Sequence, residues 1–331
     1  MKRIVLAADG GNSKTDLALV SHEGEALALA RGPRSTPQYL GVEGCLEVIG
    51  ELLAEALDGA GLDGSHGPVA EVAELLLAGV DFPADEKELE DAAVRRGWAR
   101  ATNVENDTFA VLRAGTDAGW GVAVVCGSGI NCVGVAPDGT HTRFPSLGAI
   151  TGDWGGGYDV GLAAVVAAAR SEDGRGPKTG LQESIPAYFG LGTPQELAEA
   201  VHRGRLEQSR FVELAPVVIR EAEDDAVARE IVERLAGEIA ALARVALDRL
   251  ELTGEPVEVV LGGGLFQSGD GPLLDAVRSE LEEVGPALIL RATASAPIVG
   301  AALLGLDALG ASAEAKARVR EELTAVAARA A

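Results

Sequence analysis

Ile4-Val5-Leu6-Ala7-Ala8-Asp9-Gly10-Gly11-Asn12-Ser13-Lys14-Thr15-Asp16-Leu17-Ala18-Leu19-Val20 is the stretch on which the fold turns. Its two ends are apolar runs of strand length, and its middle is a polar loop with two glycines. Two such runs across a short polar loop read as a β-hairpin. Ser21-His22-Glu23-Gly24 is a turn, and Glu25 to Arg31 supplies a third strand. The same design returns later. Gly121-Val122-Ala123-Val124-Val125-Cys126 is apolar, Gly127-Ser128-Gly129 turns, and Ile130 to Val135 is apolar again, closed by Pro137-Asp138-Gly139-Thr140.

Outward from each hairpin the pattern becomes helical. Residues 41–58 place Val42, Cys45, Leu46, Ile49, Leu52, Leu53 and Leu57 on one side. Residues 75–80 and 102–105 read as strands, with helices over 85–96 and 108–114. In the second half, helices are expected over 157–171, 179–189, 194–202, 209–221, 225–250, 272–284 and 297–309. Val257 to Leu261 and residues 287–291 read as strands. The chain is therefore α/β, built as two related halves. The glycine and aspartate cluster at Gly115–Gly119 sets the boundary, giving domains 1–115 and 116–331. The alanine face of the last helix, 312–330, suits either packing back on the first domain or a homodimer.

A chain of 331 residues is long enough for two cores. Its formal charge of −23 repels nucleic-acid phosphates and anionic membranes, and no basic stripe with interleaved aromatics offsets it. No apolar run approaches the length of a membrane span. The run at residues 4–8 is too short for a signal peptide and stops at Asp9-Gly10-Gly11, so a cytoplasmic location is expected. Cys45, Cys126 and Cys132 form no C-x-x-C pair, which argues against structural zinc and a redox motif. His22, His66, His141 and His202 are scattered without metal-ligand spacing.

Three loops suit a polyanionic nucleotide. In Asp9–Thr15 the glycines Gly10 and Gly11 let backbone N–H groups converge on phosphate oxygens. Asn12, Ser13, Lys14 and Thr15 add polar groups and a charge, and Asp9 can hold a hydrated magnesium ion. Gly127-Ser128-Gly129-Ile130-Asn131 is a second loop of this kind. Gly262-Gly263-Gly264 follows a buried strand and leaves backbone bare for a flat ring, with Gln267 in the same turn. Neither G-x-G-x-x-G nor G-x-x-x-x-G-K-[ST] occurs at these loops, against a Rossmann site and a P-loop.

Two carboxylates suit the chemistry. Asp107, after Asn106 at a strand end, is placed either to take a proton from an acceptor hydroxyl or to cap the helix that follows. Asp153 lies in Gly148-Ala149-Ile150-Thr151-Gly152-Asp153-Trp154-Gly155-Gly156-Gly157, whose five glycines in ten positions suit a loop that binds sugar hydroxyls through a carboxylate and backbone groups.

Taken in order, Asp9-Gly10-Gly11, Asn106-Asp107, Gly127-Ser128-Gly129-Ile130-Asn131, Gly152-Asp153-Trp154-Gly155 and Gly262-Gly263-Gly264 resemble the sugar-kinase branch of the actin/hexokinase/Hsp70 ATPase superfamily. Within it the set is most similar to the N-acetylglucosamine kinase group of the BadF/BadG/BcrA/BcrD ATPase family, over nearly the whole chain. The resemblance implies two ribonuclease-H-like, actin-like ATPase domains closing a central cleft over ATP and a sugar. It implies phosphate contacts from 9–15 and 127–131, and adenosine contacts from 262–264 and Gln267. It implies Asp107 as the catalytic base and Asp153 as a sugar-hydroxyl ligand, with Gly152, Asn106, Gln38 and Gly127 as further sugar contacts. The expected reaction is ATP- and Mg2+-dependent phosphorylation of an amino sugar at O6.

One departure concerns the sugar. Where amino-sugar kinases of this group carry Ser-Asn-His or Thr-Asn-His, this chain has Ser35-Thr36-Pro37-Gln38, so Pro37 replaces the asparagine. N-acetylglucosamine leads, with glucosamine and N-acetylmuramic acid as alternatives. An iron–sulfur ATPase activator of the same family needs better-placed cysteines than Cys126 and Cys132. An ATP-binding sensor without turnover is the reading from another class, and the presence of both Asp107 and Asp153 speaks against it.

Overall fold

β1 (Ile4–Gly10) pairs antiparallel with β2 (Lys14–Ser21), setting Asp9 opposite Asp16. β3 (Ala26–Pro33) joins β2 on its far side. α1 (Pro37–Ala60) then leads to β4 (Ala70–Leu77), which runs parallel to β1, and α2 (Pro83–Arg96) leads to β5 (Ala99–Asn106), parallel to β4. α3 (Thr108–Gly115) follows, and the sheet order is β3-β2-β1-β4-β5. The structure is a computed structural model that describes residues 3–64, 67–266, 271–285, 287–293 and 295–330. Gln267, expected at the adenosine, and His66 lie outside the described residues.

The second sheet repeats the first. β6 (Gly121–Cys126) pairs antiparallel with β7 (Ile130–Val135), which pairs with β8 (His141–Arg143). A helical stretch follows: α4 (Gly156–Glu172), α5 (Leu181–Tyr188), α6 (Pro194–His202), α7 (Ala215–Glu221) and α8 (Ala226–Arg249). β9 (Glu258–Gly262), α9 (Pro272–Val284) and β10 (Ile289–Ala292) complete it, in the order β10-β9-β6-β7-β8. In both sheets the first strand pairs antiparallel with the strand that follows it and parallel with a later one, and each of these pairs with one further strand at the edge. These are the two actin-like ATPase domains that the family resemblance implied. α10 (Pro297–Ala308) and α11 (Ala313–Ala330) end the chain.

The chain divides into two compact units, Met1–Trp120 with Ser295–Ala331, and Gly121–Ala294. The expected division at 115/116 let only the last helix return to the first domain, whereas α10 lies with that unit as well. The reason is packing. α10 lies against β1 and α3, and at Gly300 a Cβ would run into the Ala110 backbone, so the two helices meet at backbone distance. α11 follows α10 onto the same unit, as one of the two expectations for the last helix had it.

In the first unit, strands buried on both faces carry the near-continuous apolar runs that such burial requires. Leu6, Ala8, Leu17, Leu19, Leu75 and Leu77 pack against Cys45, Leu46, Ile49 and Leu52 of α1. Pro37 opens α1 early, and Gly41 (φ 68°, ψ 174°) breaks it, so residues 37–40 form a separate turn before the expected helix. In the second unit the expected helix over 209–221 is a 3-10 turn at Gln208–Leu214 followed by α7, because Pro216 fits only a first helical turn. β8 is three polar residues at an edge, too short to show a pattern. Among the described residues no helix is long and apolar enough to cross a membrane.

Candidate functional site

Parallel pairing aligns the strand ends of the first unit. Gly10 sits opposite Leu77, and Leu77 opposite Asn106, so the residues that follow β1, β4 and β5 emerge at one level. The Ala78 N–H donates to the Gly10 carbonyl at 2.8 Å and ties two of these ends together. Ligands in open α/β sheets bind beyond the carboxyl ends of such strands.

The hairpin loop is tightly built. Gly11 N–H donates to the Lys14 carbonyl at 2.9 Å. Thr36 Oγ1 donates to the Gly11 carbonyl at 3.0 Å and to Asn12 Oδ1 at 2.8 Å. Thr15 is buried, and its hydroxyl donates to Ser35 Oγ at 2.8 Å, so it braces the loop from beneath. Asn12, Ser13 and Lys14 are exposed at the tip. Lys14 Nζ reaches Asp16 Oδ2 at 2.8 Å, while Arg31 Nε holds Asp16 Oδ1 at 2.6 Å. Those two cations keep the buried Asp16 carboxyl below the usual range in spite of its burial.

Asp9 and Asp107 are electrically coupled. Burial, then the charges of Asp107 and Asp16, push the Asp9 carboxyl up to about 8, with Lys14 and Arg31 opposing. A carboxylate under that pressure suits a divalent cation, which would restore its charge. Among the described residues no three His, Cys, Asp or Glu side chains cluster as a metal cage. A lone carboxylate such as Asp9 would suit an ion that keeps most of its waters, as magnesium does. Burial also pushes Asp107 up to about 6, against a lowering by backbone N–H groups that include Thr108. Asp107 occupies the N-cap position of α3 but makes no side-chain cap bond. The cap is instead Asn106, whose Oδ1 accepts from Thr108 N at 3.0 Å and Thr108 Oγ1 at 2.7 Å.

Asp81 is the residue that sequence reading missed. It is nearly buried after β4, where its Oδ1 accepts from Asn106 Nδ2 at 3.0 Å and its Oδ2 from Gln38 Nε2 at 3.3 Å. The signal was available: Gly79-Val80-Asp81 closes an apolar strand as Asp9 and Asp107 close theirs. Gln38, Asp81 and Asn106 thus form one chain of contacts leading to the residue beside Asp107.

The second unit gathers its own set at the ends of β6 and β9. Gly127 N–H donates to the Gly129 carbonyl at 3.0 Å to close the turn. The first turn of α4 then grips that loop, with Gly157 N–H donating to the Gly127 carbonyl at 2.8 Å and Tyr158 N–H to Ser128 at 2.9 Å. Gly156 has φ 77°, and a Cβ there would collide with the Gly129 backbone. Part of the glycine run thus serves close packing of the second loop against α4. Asn131 Oδ1 accepts from Ser146 Oγ at 2.6 Å. Gly263 (φ 94°) abuts the Cys126 backbone, so Gly262–Gly264 lie beside the second loop. Asp153 is half-buried; its Oδ2 accepts from Gly148 N–H at 2.9 Å and Thr151 Oγ1 at 2.7 Å. Asp153 and Gly152 line a cavity of about 200 Å³ with Ile130, Phe144 and Trp154.

The family model for the BadF/BadG/BcrA/BcrD ATPase family matches residues 8–305, from the aspartate-glycine loop through α10. The chain belongs to the BadF/BadG/BcrA/BcrD ATPase family. This member is 27 % identical over 270 residues to an N-acetylmuramic acid/N-acetylglucosamine kinase of Clostridium acetobutylicum, covering 80 % of this chain and 86 % of the relative. It is 26 % identical over 320 residues to the N-acetyl-D-glucosamine kinase of Dictyostelium discoideum, covering 92 % of this chain and 98 % of the relative. Among solved structures, a candidate N-acetylglucosamine kinase from Chromobacterium violaceum superposes with a TM-score of 0.71 at 26 % identity, covering 92 % of this chain and 99 % of that one.

Proposed function

We propose that this chain is an ATP-dependent kinase that phosphorylates an amino sugar, N-acetylglucosamine first, at its 6-hydroxyl. The observation that carries this reading is Asp107. It is a carboxylate at a strand end, freed from capping duty by Asn106 and raised to about 6 by burial. Such a group is ionised at neutral pH yet basic enough to take a hydroxyl proton. The relatives support the substrate class, since both curated ones are named for N-acetylglucosamine.

The proposed roles are these. Asp107 accepts the proton of the attacking sugar hydroxyl. Backbone N–H groups of Asn12 and Ser13 and of Ser128 and Gly129, with Lys14, receive the phosphate oxygens and stabilise charge as it builds, while Gly10 and Gly11 let the loop approach closely. Asp9 would hold a hydrated magnesium ion, which would supply charge neutralisation on the phosphates. Gly262–Gly264 offer bare backbone to the adenosine. In the first unit Gln38 and Asn106, and in the second Asp153, Gly152 and Gly127, are the groups proposed to take sugar hydroxyls.

Two alternatives stand beside N-acetylglucosamine. Pro37 has no amide side chain to receive an acetamido group, which favours glucosamine, although Gln38 is exposed and only partly engaged by Asp81 at 3.3 Å. N-acetylmuramic acid is the other, and the Clostridium relative is named for it and for N-acetylglucosamine. The test is a coupled ADP-release assay with Mg·ATP against N-acetylglucosamine, N-acetylmuramic acid, glucosamine, N-acetylmannosamine and glucose. Release stimulated by an acetamido sugar supports the reading. No stimulation by any of them overturns it and leaves a nucleotide-binding sensor.

A further inference from the structure

The loop that carries Asp153 is tied at its ends, by Ser146 to Asn131 and by the start of α4 to Gly127 and Ser128, but not at its crest. Ile150 at its crest is 86 % exposed, and Thr151 and Gly152 are exposed as well. Its hydrogen bonds run within the loop: Thr151, Gly152 and Asp153 N–H groups all donate to the Gly148 carbonyl, and Leu147 N–H donates to Thr151 Oγ1. These bonds fix the shape of the turn but not its position on the unit. Gly148 (φ 65°) and Gly152 (φ 84°) sit in the left-handed region, so the backbone itself adds little stiffness.

Trp154 supplies the attachment. Its indole forms one wall of the cavity that holds Asp153 and also borders a separate cavity of about 310 Å³ between α4 and α8. On that second side Arg234 of α8 lays its guanidinium over the ring, 3.9 Å from the centroid. Arg234 is a full turn from Glu238, which lines the Asp153 cavity together with Trp154, so α8 borders both cavities. A cation over an indole face is the strongest pairing of its kind. α8 is a rigid, 24-residue helix packed against β6 and β7, and it is a firm base for such a clamp.

We propose that Arg234 is a positioning residue for the sugar: by stacking on Trp154 it holds the neighbouring Asp153 carboxylate where a sugar hydroxyl binds. This rests on the kinase reading above and on Asp153 as a sugar ligand. The role is exerted through Trp154 rather than by contact with a substrate. Its contribution should appear in sugar binding and leave the nucleotide loops alone, because the first is held by Thr36 and the second by Gly157 and Tyr158.

The experiment measures steady-state kinetics of wild type, Arg234→Ala and Arg234→Lys with N-acetylglucosamine and ATP varied in turn. Arg234 is exposed, so neither variant removes core packing. Arg234→Ala should raise the sugar KM by about fivefold with the ATP KM and kcat within about twofold of wild type. Arg234→Lys keeps the charge and should fall between the two. An unchanged sugar KM in Arg234→Ala, or equal increases for sugar and ATP, would overturn the inference while leaving an active kinase. A wild-type protein that turns over no sugar would instead remove the kinase reading, and this inference with it.

Discussion

Asn106 Nδ2 donates to Asp81 Oδ1 at 3.0 Å while the Oδ1 of the same amide accepts from Thr108. One buried side chain therefore links the end of β4 to the start of α3 and brackets Asp107 between its two bonds. Asparagine is suited to this because it donates and accepts at once, which neither aspartate nor leucine can do.

Replacing Asn106 by Ala should cost about 1–3 kcal/mol of stability, since it strips a partner from the nearly buried Asp81 and uncaps α3. Urea denaturation measures this. The same variant should lose kcat more than ATP affinity, because the loop at Gly10–Lys14 keeps its own bonds to Thr36. A variant as stable and as active as wild type would contradict the role given to this amide.

The second loop yields a different prediction. Gly156→Ala forces a left-handed backbone at φ 77° and drives a methyl into Gly129. The strain is about 1–2 kcal/mol from the backbone alone. Displacing the loop should raise the ATP KM about tenfold or more, since small misplacements of positioning groups are costly. Nucleotide titration of the variant checks it; unchanged ATP affinity would detach this loop from the phosphates.

How much of this could be read beforehand differs by element. The hairpins were legible because apolar runs of Val, Leu and Ala alternate with glycine-bearing loops, a local signal. The end of the first domain was not, since α10 joins β1 and α3 through contacts between residues far apart in the chain, as between Arg113 and Asp307 and between Val5 and Gly305. Asp9 and Asp107 stood out by standing at strand ends. Asp81 occupied the same kind of place and was passed over, because its importance lies in Gln38 and Asn106, distant in sequence. The glycines at 155–157 were read as sugar-binding, whereas Gly156 is required by the packing of α4 against Gly129, which sequence alone does not reveal.

Glu74 sets a pH dependence of stability. It is buried in β4, accepts from Asn103 Nδ2 at 2.8 Å, and is pushed up to about 7, chiefly by burial. A carboxyl raised in the folded state binds its proton more tightly than in the unfolded chain. Its contribution is full below the unfolded value of 4.5 and is lost as pH rises through about 7. Glu74→Gln removes that titration. The variant should match wild type near pH 5 and exceed it by about 1–3 kcal/mol near pH 8. Denaturant melts at the two pH values measure it, and parallel behaviour of both proteins would contradict the assignment.

Asp107→Asn tests the account most directly, because it keeps the shape of the side chain and removes only its capacity to take a proton. Coupled ADP release with N-acetylglucosamine should fall by about 10²–10⁴-fold in kcat, while ATP binding measured by calorimetry stays close to wild type. Turnover within a few fold of wild type would show that the proton goes elsewhere, and the proposed site would be wrong.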